Sequence, residues 1–413
     1  MMIKRLFTVF VASYCLVALQ AQAPFEASSK EMLRFDVAYL ASDLLEGRMT
    51  GTQGEQKAAE YIAARLAAMG VAPGGTDGSF FQPFEFELRA NPHSNEAGKL
   101  LKGKNVVGWI DRGAKYTVVL GAHYDHLGYG GHGSLHTGEE EIHNGADDNA
   151  SGVAAILMLA DRLSHADEYN HFNYLILGFS GEELGLYGSK LWLEHTDFPL
   201  DNISCMLNFD MVGRLNEERV LVVNGVGTSP AWKESLSEVA GAFQLKTTES
   251  GIGASDHSSF YFKDIPAVHF FTGQHSDYHK PKDDAQLVNY EGLEDIVEMV
   301  LDLLTILPGD RKLEFTKTKA AQDSREQARF KVTLGVMPDY VFTGEGMRVD
   351  GVLDGRPAAK AGMEAGDVII GIGEHEVKDI YGYMAALAKY EAGDEAEVRF
   401  VRNGKEMALK VVF

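Results

Sequence analysis

Cysteine is almost missing from this sequence: of 413 residues only Cys15 and Cys205 carry a thiol. Cys15 lies in an N-terminal stretch that reads as a removable leader, so no intramolecular disulfide is left to the remaining chain. Cys205 sits in the apolar run SCMLNF, the pattern of a buried strand, and reads as an inert core thiol rather than a nucleophile. Stability must then come from a large hydrophobic core, with metal as a second source. Basic residues are also short, 38 Lys and Arg against 60 Asp and Glu, for a formal net charge of −22. So acidic a chain argues against nucleic acid or anionic membrane as a partner, because both require basic patches. Beyond the N-terminus no run is long and apolar enough to span a bilayer.

What is present starts with the leader. Lys4 and Arg5 precede an apolar run from Leu6 to Leu19, and Ala21-Gln22-Ala23 follows. A charged head, a short apolar stretch and a small-residue cleavage site predict a signal peptide over residues 1–23 and a periplasmic or secreted protein. Pro24 disfavours cleavage after Ala23, which leaves Ala21 open as the alternative. Tyr14 before Cys15 is not the small residue that a lipid-anchor site needs. The sequence as a whole is 45% hydrophobic and 24% charged, the balance of a globular protein, and its length predicts two or three domains.

The segment KAAEYIAARLAAMG places Ala58, Ile62, Leu66 and Met69 on one helical stripe closed by Gly70. From there to Leu307, strand patterns (NVVGWI, YTVVLGA, FNYLILGF, SCMLNFD, RVLVVNG, PAVHFF) alternate with helical ones. The helical ones are SGVAAILMLADRL, the run after Gly185, PAWKESLSEVAGAF and YEGLEDIVEMVLDLLTIL. Such alternation predicts a three-layer α/β/α domain with a mostly parallel central sheet over residues 24–307. Polar sequence over 308–329 predicts a linker, and the short strands and Gly turns of 330–413 a small β-rich domain.

Ligands gather at the carboxyl ends of strands in open α/β sheets. Those ends carry His123 and Asp125, then Asp147 and Asp148, Glu182 and Glu183, Asp210, and His279. Two imidazoles and several carboxylates on one rim suit zinc, which takes N and O ligands and leaves a position open for catalysis. Two such ions need a shared carboxylate to offset their repulsion, the arrangement of two-metal hydrolysis. A lone surface acid is usually just a solvated charge. These acids instead follow apolar strands, where an unpaired carboxylate is costly.

GAHYDHLG, NGADDNASG, GFSGEELGLYGS, NFDMVGR and SDYHKPKDD, in that order, resemble the motifs of the co-catalytic dizinc aminopeptidases, the family that includes glutaminyl cyclases. The resemblance extends upstream through YLASDLLEGRMTGTQGEQKAAEYIAARL and covers roughly residues 30–307. It implies a zinc-exopeptidase fold and a metallo-exopeptidase that removes N-terminal residues from peptides with a free N-terminus, using two zinc ions. It further implies that Asp148, directly before Asn149, bridges the ions, with Asp147 left to loop structure. His123 and Asp210 then complete one site, and Glu183 and His279 the other. Glu182 is the implied general base, and Asp125 the carboxylate that fixes the His123 tautomer. Asp256 in GASDHSSF also matches a family motif and is open between a supporting and a structural role. Tyr278 is a candidate to polarise the substrate carbonyl. His126, His132, His136, His143, His257, His269 and His275 read as loop or core residues.

The C-terminal TLGVMP, AAKAGMEAGDVIIGIG and the helix around Met384 and Leu387 resemble a PDZ domain. The resemblance implies that backbone amides of Leu334-Gly335-Val336 receive a peptide C-terminus; the competing expectation is a module that only packs on the peptidase. Three rival functions share these features. A carboxypeptidase with a lid domain needs a large insertion between Asp210 and His279, a stretch that here reads as two strands and a helix. A glutaminyl cyclase works with one zinc and leaves His123 and Asp210 unexplained. An inactive PDZ scaffold leaves the whole ligand set unexplained.

Overall fold

The computed structural model describes residues 28–88, 98–131, 133–136, 138–318, 332–338, 344–352, 355–378 and 380–413. The expected leader and His132 lie outside them. Helix α1 (Ser29–Leu40) opens on a capping box between Ser28 and Glu31. In α2 (Gln53–Ala68) the Thr52 hydroxyl accepts the Glu55 N–H, and Ala58, Ile62 and Leu66 are buried as the stripe predicts.

The strands that follow are β1 (Ala72–Pro73), β2 (Phe81–Leu88), β3 (Lys99–Ile110), β4 (Thr117–His123), β5 (Asn173–Phe179) and β6 (Ile203–Phe209). Then come β7 (Val220–Asn224), β8 (Gln244–Thr248) and β9 (Ala267–Phe271). They form one sheet in the order β1-β3-β5-β4-β6-β9-β7-β8, with β2 added on β3. Its centre, β5-β4-β6-β9, is parallel, and antiparallel pairing begins on either side at β3 and β7.

The central strands are buried along their whole length, as strands covered on both faces must be. Their side chains alternate between two cores. Val118, Leu120, Tyr174, Ile176, Cys205 and Leu207 pack with α1, α2 and α3 (Gly152–His165), α5 (Ala231–Val239) and α7 (Tyr290–Ile306). Val119, Leu175, Leu177 and Met206 meet Trp192 of α4 (Tyr187–His195) and Phe260 of α6 (His257–Tyr261) on the other face. This is the three-layer arrangement. Cys205 is fully buried, and burial pushes its thiol pKa up, in keeping with an inert core residue. Between Asp210 and His279 run β7, α5, β8, α6 and β9, one strand and one helix more than the sequence suggested. All are built into these layers, so no lid domain is inserted there.

The C-terminal domain has a core of its own around Leu334, Met347, Val349, Ile369, Val398 and Phe400. Its strands β10 (Val336–Pro338), β11 (Met347–Val352), β12 (Val368–Ile372), β14 (Glu395–Arg402) and β15 (Lys405–Val412) pair antiparallel in that order, and β13 (His375–Glu376) adds to β12. Helices α8 (Pro357–Ala361) and α9 (Ile380–Leu387) complete it.

The expected linker needs one correction. Its first part is seated on the peptidase domain: the Leu313 N–H donates to Ser204 Oγ at 3.2 Å and the Thr316 N–H to the Thr228 carbonyl at 2.8 Å. The Thr318 N–H reaches the Tyr261 hydroxyl at 3.0 Å, and Phe315 packs on the Tyr261 ring. Polar composition hid this because the anchoring is mostly main-chain hydrogen bonding. A chain ended at Thr318 should therefore keep the peptidase domain's melting temperature. One ended at Leu307 exposes the Leu313 and Phe315 seats and should lose roughly 5 °C or more. Equal thermal unfolding of the two would show that the segment contributes nothing.

Candidate metal centre

Four parallel strands end on one rim, and the polar residues beyond them converge there. His123 closes β4, Asp210 directly follows β6, Glu182 and Glu183 follow β5, and Asp148 precedes α3. The turn before α3 is tight. Asn149 Oδ1 accepts the Gly152 N–H at 3.0 Å and Asn149 Nδ2 donates to the Phe209 carbonyl at 2.9 Å; a Cβ at Gly152 would collide with both groups.

His123 Nδ1 lies 3.2 Å from the Asp125 carbonyl and 3.7 Å from its carboxylate, which leaves Nε2 facing the cluster. Nε2 stands 3.3 Å from Asp148 Oδ1 and 3.4 Å from Asp210 Oδ1. On the other side, His279 Nε2 stands 3.1 Å from Asp148 Oδ2 and 3.3 Å from Glu183 Oε2, while its Nδ1 donates to the Gly133 carbonyl at 2.7 Å. Ligands about 2.0 Å from a tetrahedral zinc are separated by about 3.3 Å, so these spacings fit two ions sharing Asp148. The donor chemistry fits as well: imidazole and carboxylate, buried or nearly so.

His126 was read as a loop or core residue and is instead part of the cluster. Buried, it sits with Asp148 and Glu183 as a second possible donor group, its Nδ1 2.7 Å from Glu183 Oε1. That spacing is a hydrogen bond rather than the edge of a coordination tetrahedron, so His126 supports Glu183 and His279 suits the ligand position. Asp147 faces away. Its Oδ1 accepts the Gly213 N–H at 2.6 Å and its Oδ2 lies 3.2 Å from His275 Nε2. His257 and His269 stack, His257 fully buried and His269 bordering the open space over the cluster, and the His143 ring holds its own loop through Ser134 and Glu141.

The charges shape one another. Burial opposes ionisation of Asp148, but hydrogen bonds from His123 and His279 hold its carboxyl well below the usual range. Burial also opposes Glu183 ionisation, yet the nearby His279 charge brings its pKa to about 2. Glu182 goes the other way: burial and the neighbouring Asp210 and Glu183 charges push it well above the usual value. Asp256 is raised to about 7 by burial. Asp125 accepts the Thr50 hydroxyl at 2.9 Å and the Glu182 N–H at 3.2 Å, so it ties the His123 segment to the Glu182 segment. Tyr278 stacks on His279 with ring centroids 3.9 Å apart.

Two supports had no signal in the sequence. Arg48 is 1% exposed and donates to the carbonyls of Tyr124 (2.8 Å), Asn144 (2.7 Å), Gly145 (3.0 Å) and Leu40. Burial lowers its pKa to about 10, so it stays charged at neutral pH. Asp283 Oδ2 accepts the N–H groups of Asp147 and Asp148 at 2.9 and 3.0 Å, and its Oδ1 lies 3.3 Å from Arg214 Nη2. Arg48 lay in LLEGRMTGT and Asp283 in SDYHKPKDD, both within the family resemblance, but nothing in their type or spacing marks burial.

A cavity of about 390 Å³ opens over the cluster. His123, Asp148, Glu182, Glu183, Asp210 and His279 all line it.

Fold and donor set together define a zinc-exopeptidase architecture. The solved zinc aminopeptidase BSAP of Bacillus subtilis is similar to it, with a TM-score of 0.53 at 18% identity over 67% of this chain and 94% of that one. The glutaminyl cyclase of Porphyromonas gingivalis is equally similar, with a TM-score of 0.54 at 18% identity over 67% of this chain and 97% of that one. The family is more specific. Residues 105–304 match the model of peptidase family M28 and residues 314–412 that of a PDZ domain, so the chain carries an M28 peptidase domain followed by a PDZ domain. Among curated proteins it is 28% identical to aminopeptidase YwaD of Bacillus subtilis over 169 residues, 38% of this chain and 36% of that protein. The chain spans between a third and a half of the length of this relative, of leupeptin-inactivating enzyme 1 of Streptomyces exfoliatus and of the probable lipoprotein aminopeptidase LpqL of Mycobacterium tuberculosis.

Arg48→Leu strips donors from four carbonyls, and each buried unpaired group costs about 1–3 kcal/mol. The variant should unfold at lower temperature and bind zinc more weakly, because the Asn144–Asp148 turn loses its anchor. Unchanged melting and zinc content would place the turn's support elsewhere.

Proposed function

We propose that this protein is an exported dizinc aminopeptidase that releases N-terminal residues from peptides. The observation that carries the reading is the Asp148 carboxylate, which turns one oxygen to His123 and the other to His279. Export rests on the leader pattern of residues 1–23; among the described residues no helix is long and apolar enough to cross a membrane. His123, Asp148 and Asp210 would hold one zinc, and Asp148, Glu183 and His279 the other.

Bound there, the two ions would polarise the scissile carbonyl and lower the pKa of the attacking water toward neutrality. The side chains supply the rest. Glu182 takes the proton of that water on a carboxylate oxygen and returns it to the departing amine nitrogen as the C–N bond breaks. Asp125 keeps the Glu182 segment and the His123 ring in register, and Tyr278 flanks the carbonyl beside His279. The acidic rim attracts a free α-amine and repels a substrate carboxylate, which sets the direction of attack. At the PDZ domain, the loop of Leu334, Gly335 and Val336 is the proposed seat for peptide C-termini. Gly335 has φ +71, and a Cβ built there would collide with the aliphatic stem of Arg356, so the loop requires glycine at this position.

A cyclase on the same fold is the second reading. Metal content separates the two, since the pairing of His123 with Asp210 favours two ions. Purified protein should hold two zinc ions, and Asp148→Ala should lose both. Glu182→Gln should keep them while losing about 10²–10⁴-fold in kcat, because an amide cannot accept the proton. Glu183→Gln should weaken zinc binding instead. A Glu182→Gln enzyme as active as the parent would assign the base elsewhere.

Direction is tested with paired peptides. Free N-terminal peptides should be shortened from that end, and their N-acetylated forms should resist. Trimming of acetylated peptides from the C-terminus would overturn the aminopeptidase reading.

A further inference from the structure

The cavity over the metal donors is not closed by the peptidase domain alone. Besides the carboxylates and imidazoles its lining includes apolar Met211 just beyond β6, Ile252 beyond β8 and Phe271 at the end of β9, alongside polar Asn224, Thr248 and Gln274. The same wall is continued by Gly344, Gly346, Met347 and Met384 of the PDZ domain. Met347 begins β11 and is 2% exposed, while Met384 lies on α9 and is half-buried. Met211, Met347 and Met384 thus line the same space as the candidate metal donors.

We propose that the PDZ domain completes the pocket for the side chain of the substrate's N-terminal residue, with Met384 and Met347 as specificity-determining contacts. The inference rests on the aminopeptidase reading. A substrate whose α-amine and scissile carbonyl lie at the carboxylates must send its first side chain into the remaining space, where the residues that the PDZ domain contributes, Met347 and Met384, are apolar. Unbranched thioether side chains reshape at little cost, so a methionine wall accepts leucine, methionine and phenylalanine alike rather than selecting one. No acidic residue lies among the PDZ residues of this wall, so a lysine side chain finds no partner there.

Met347 also belongs to the core of its own domain, and replacing it would disturb that domain. Met384 is the better probe. In the full-length protein, Met384→Glu should lower kcat/KM for leucine 4-nitroanilide by about 10-fold or more, mainly through KM, while alanine 4-nitroanilide changes little. Lysine 4-nitroanilide should improve relative to leucine, and Met384→Leu should stay within about twofold of the parent. Zinc content and melting temperature should not move. If leucine and alanine substrates respond equally, or neither responds, the PDZ domain is not part of the pocket.

Binding of isoamylamine, followed by calorimetry on the zinc-loaded protein, tests the wall without catalysis. Weaker binding to Met384→Glu than to the parent supports it. Equal binding, or no binding to the parent, overturns it. If the parent cleaves no anilide while isoamylamine binding still depends on Met384, the aminopeptidase reading fails and the shared wall stands.

Discussion

Four carboxylates, those of Asp148, Glu182, Glu183 and Asp210, share one half-enclosed rim, and the rest of the site answers to their mutual repulsion. Two like charges 4 Å apart at an effective dielectric near 20 repel by about 4 kcal/mol. Several such pairs would exceed what a domain of this size can spare. Imidazoles between the acids relieve part of the repulsion, and divalent cations would relieve most of it. The same geometry that stores the cost therefore provides the affinity for metal, and folding and metal loading become linked.

That linkage explains why the supports are built largely from main-chain groups. His123 and His279 each direct one ring nitrogen at a carbonyl, of Asp125 and Gly133, which commits the other nitrogen to the cluster. Asp148 is steered by its own N–H bonding to Asp283, and Asp210 by the Ser255 hydroxyl on its outer oxygen at 2.7 Å. Arg48 works one layer further out, gathering carbonyls from both sides of the rim. Each of these groups fixes an atom whose displacement by a few tenths of an ångström would spoil a coordination edge.

Most of the fold was legible because its strands are buried on both faces and announce themselves as apolar runs. The polar strand β8 (QLKTT), at the sheet edge, was not recognised, since half-exposed strands carry a weaker pattern. That these residues would gather on one rim was legible because strand ends mark where a sheet presents chemistry; the role of each rests on the family resemblance. His126 escaped: it follows Asp125 on the same strand end, and only its 2.7 Å approach to Glu183 sets it apart from a loop histidine. Arg48 and Asp283 escaped for a related reason. Their partners are distant in sequence, up to 136 residues away, and no local pattern encodes a contact of that kind. The segment after Leu307 looked like a linker because side-chain composition says nothing about where backbone N–H groups find acceptors.

An exopeptidase must do two opposed things with one cleft: bind a chain end tightly and exclude chain interiors. A metal rim with an acidic surround handles the amine, but it leaves the first side chain facing solvent unless something stands opposite. Loops could supply that wall, yet a loop must pay for its own order before it can hold an apolar residue. A folded domain has already met that cost through its own core. Met347 shows how little extra is required, since one residue seals the PDZ core and also faces the cavity. The appended domain would then act on substrate through position alone, which leaves the proposed peptide seat at Gly335 free for a separate partner.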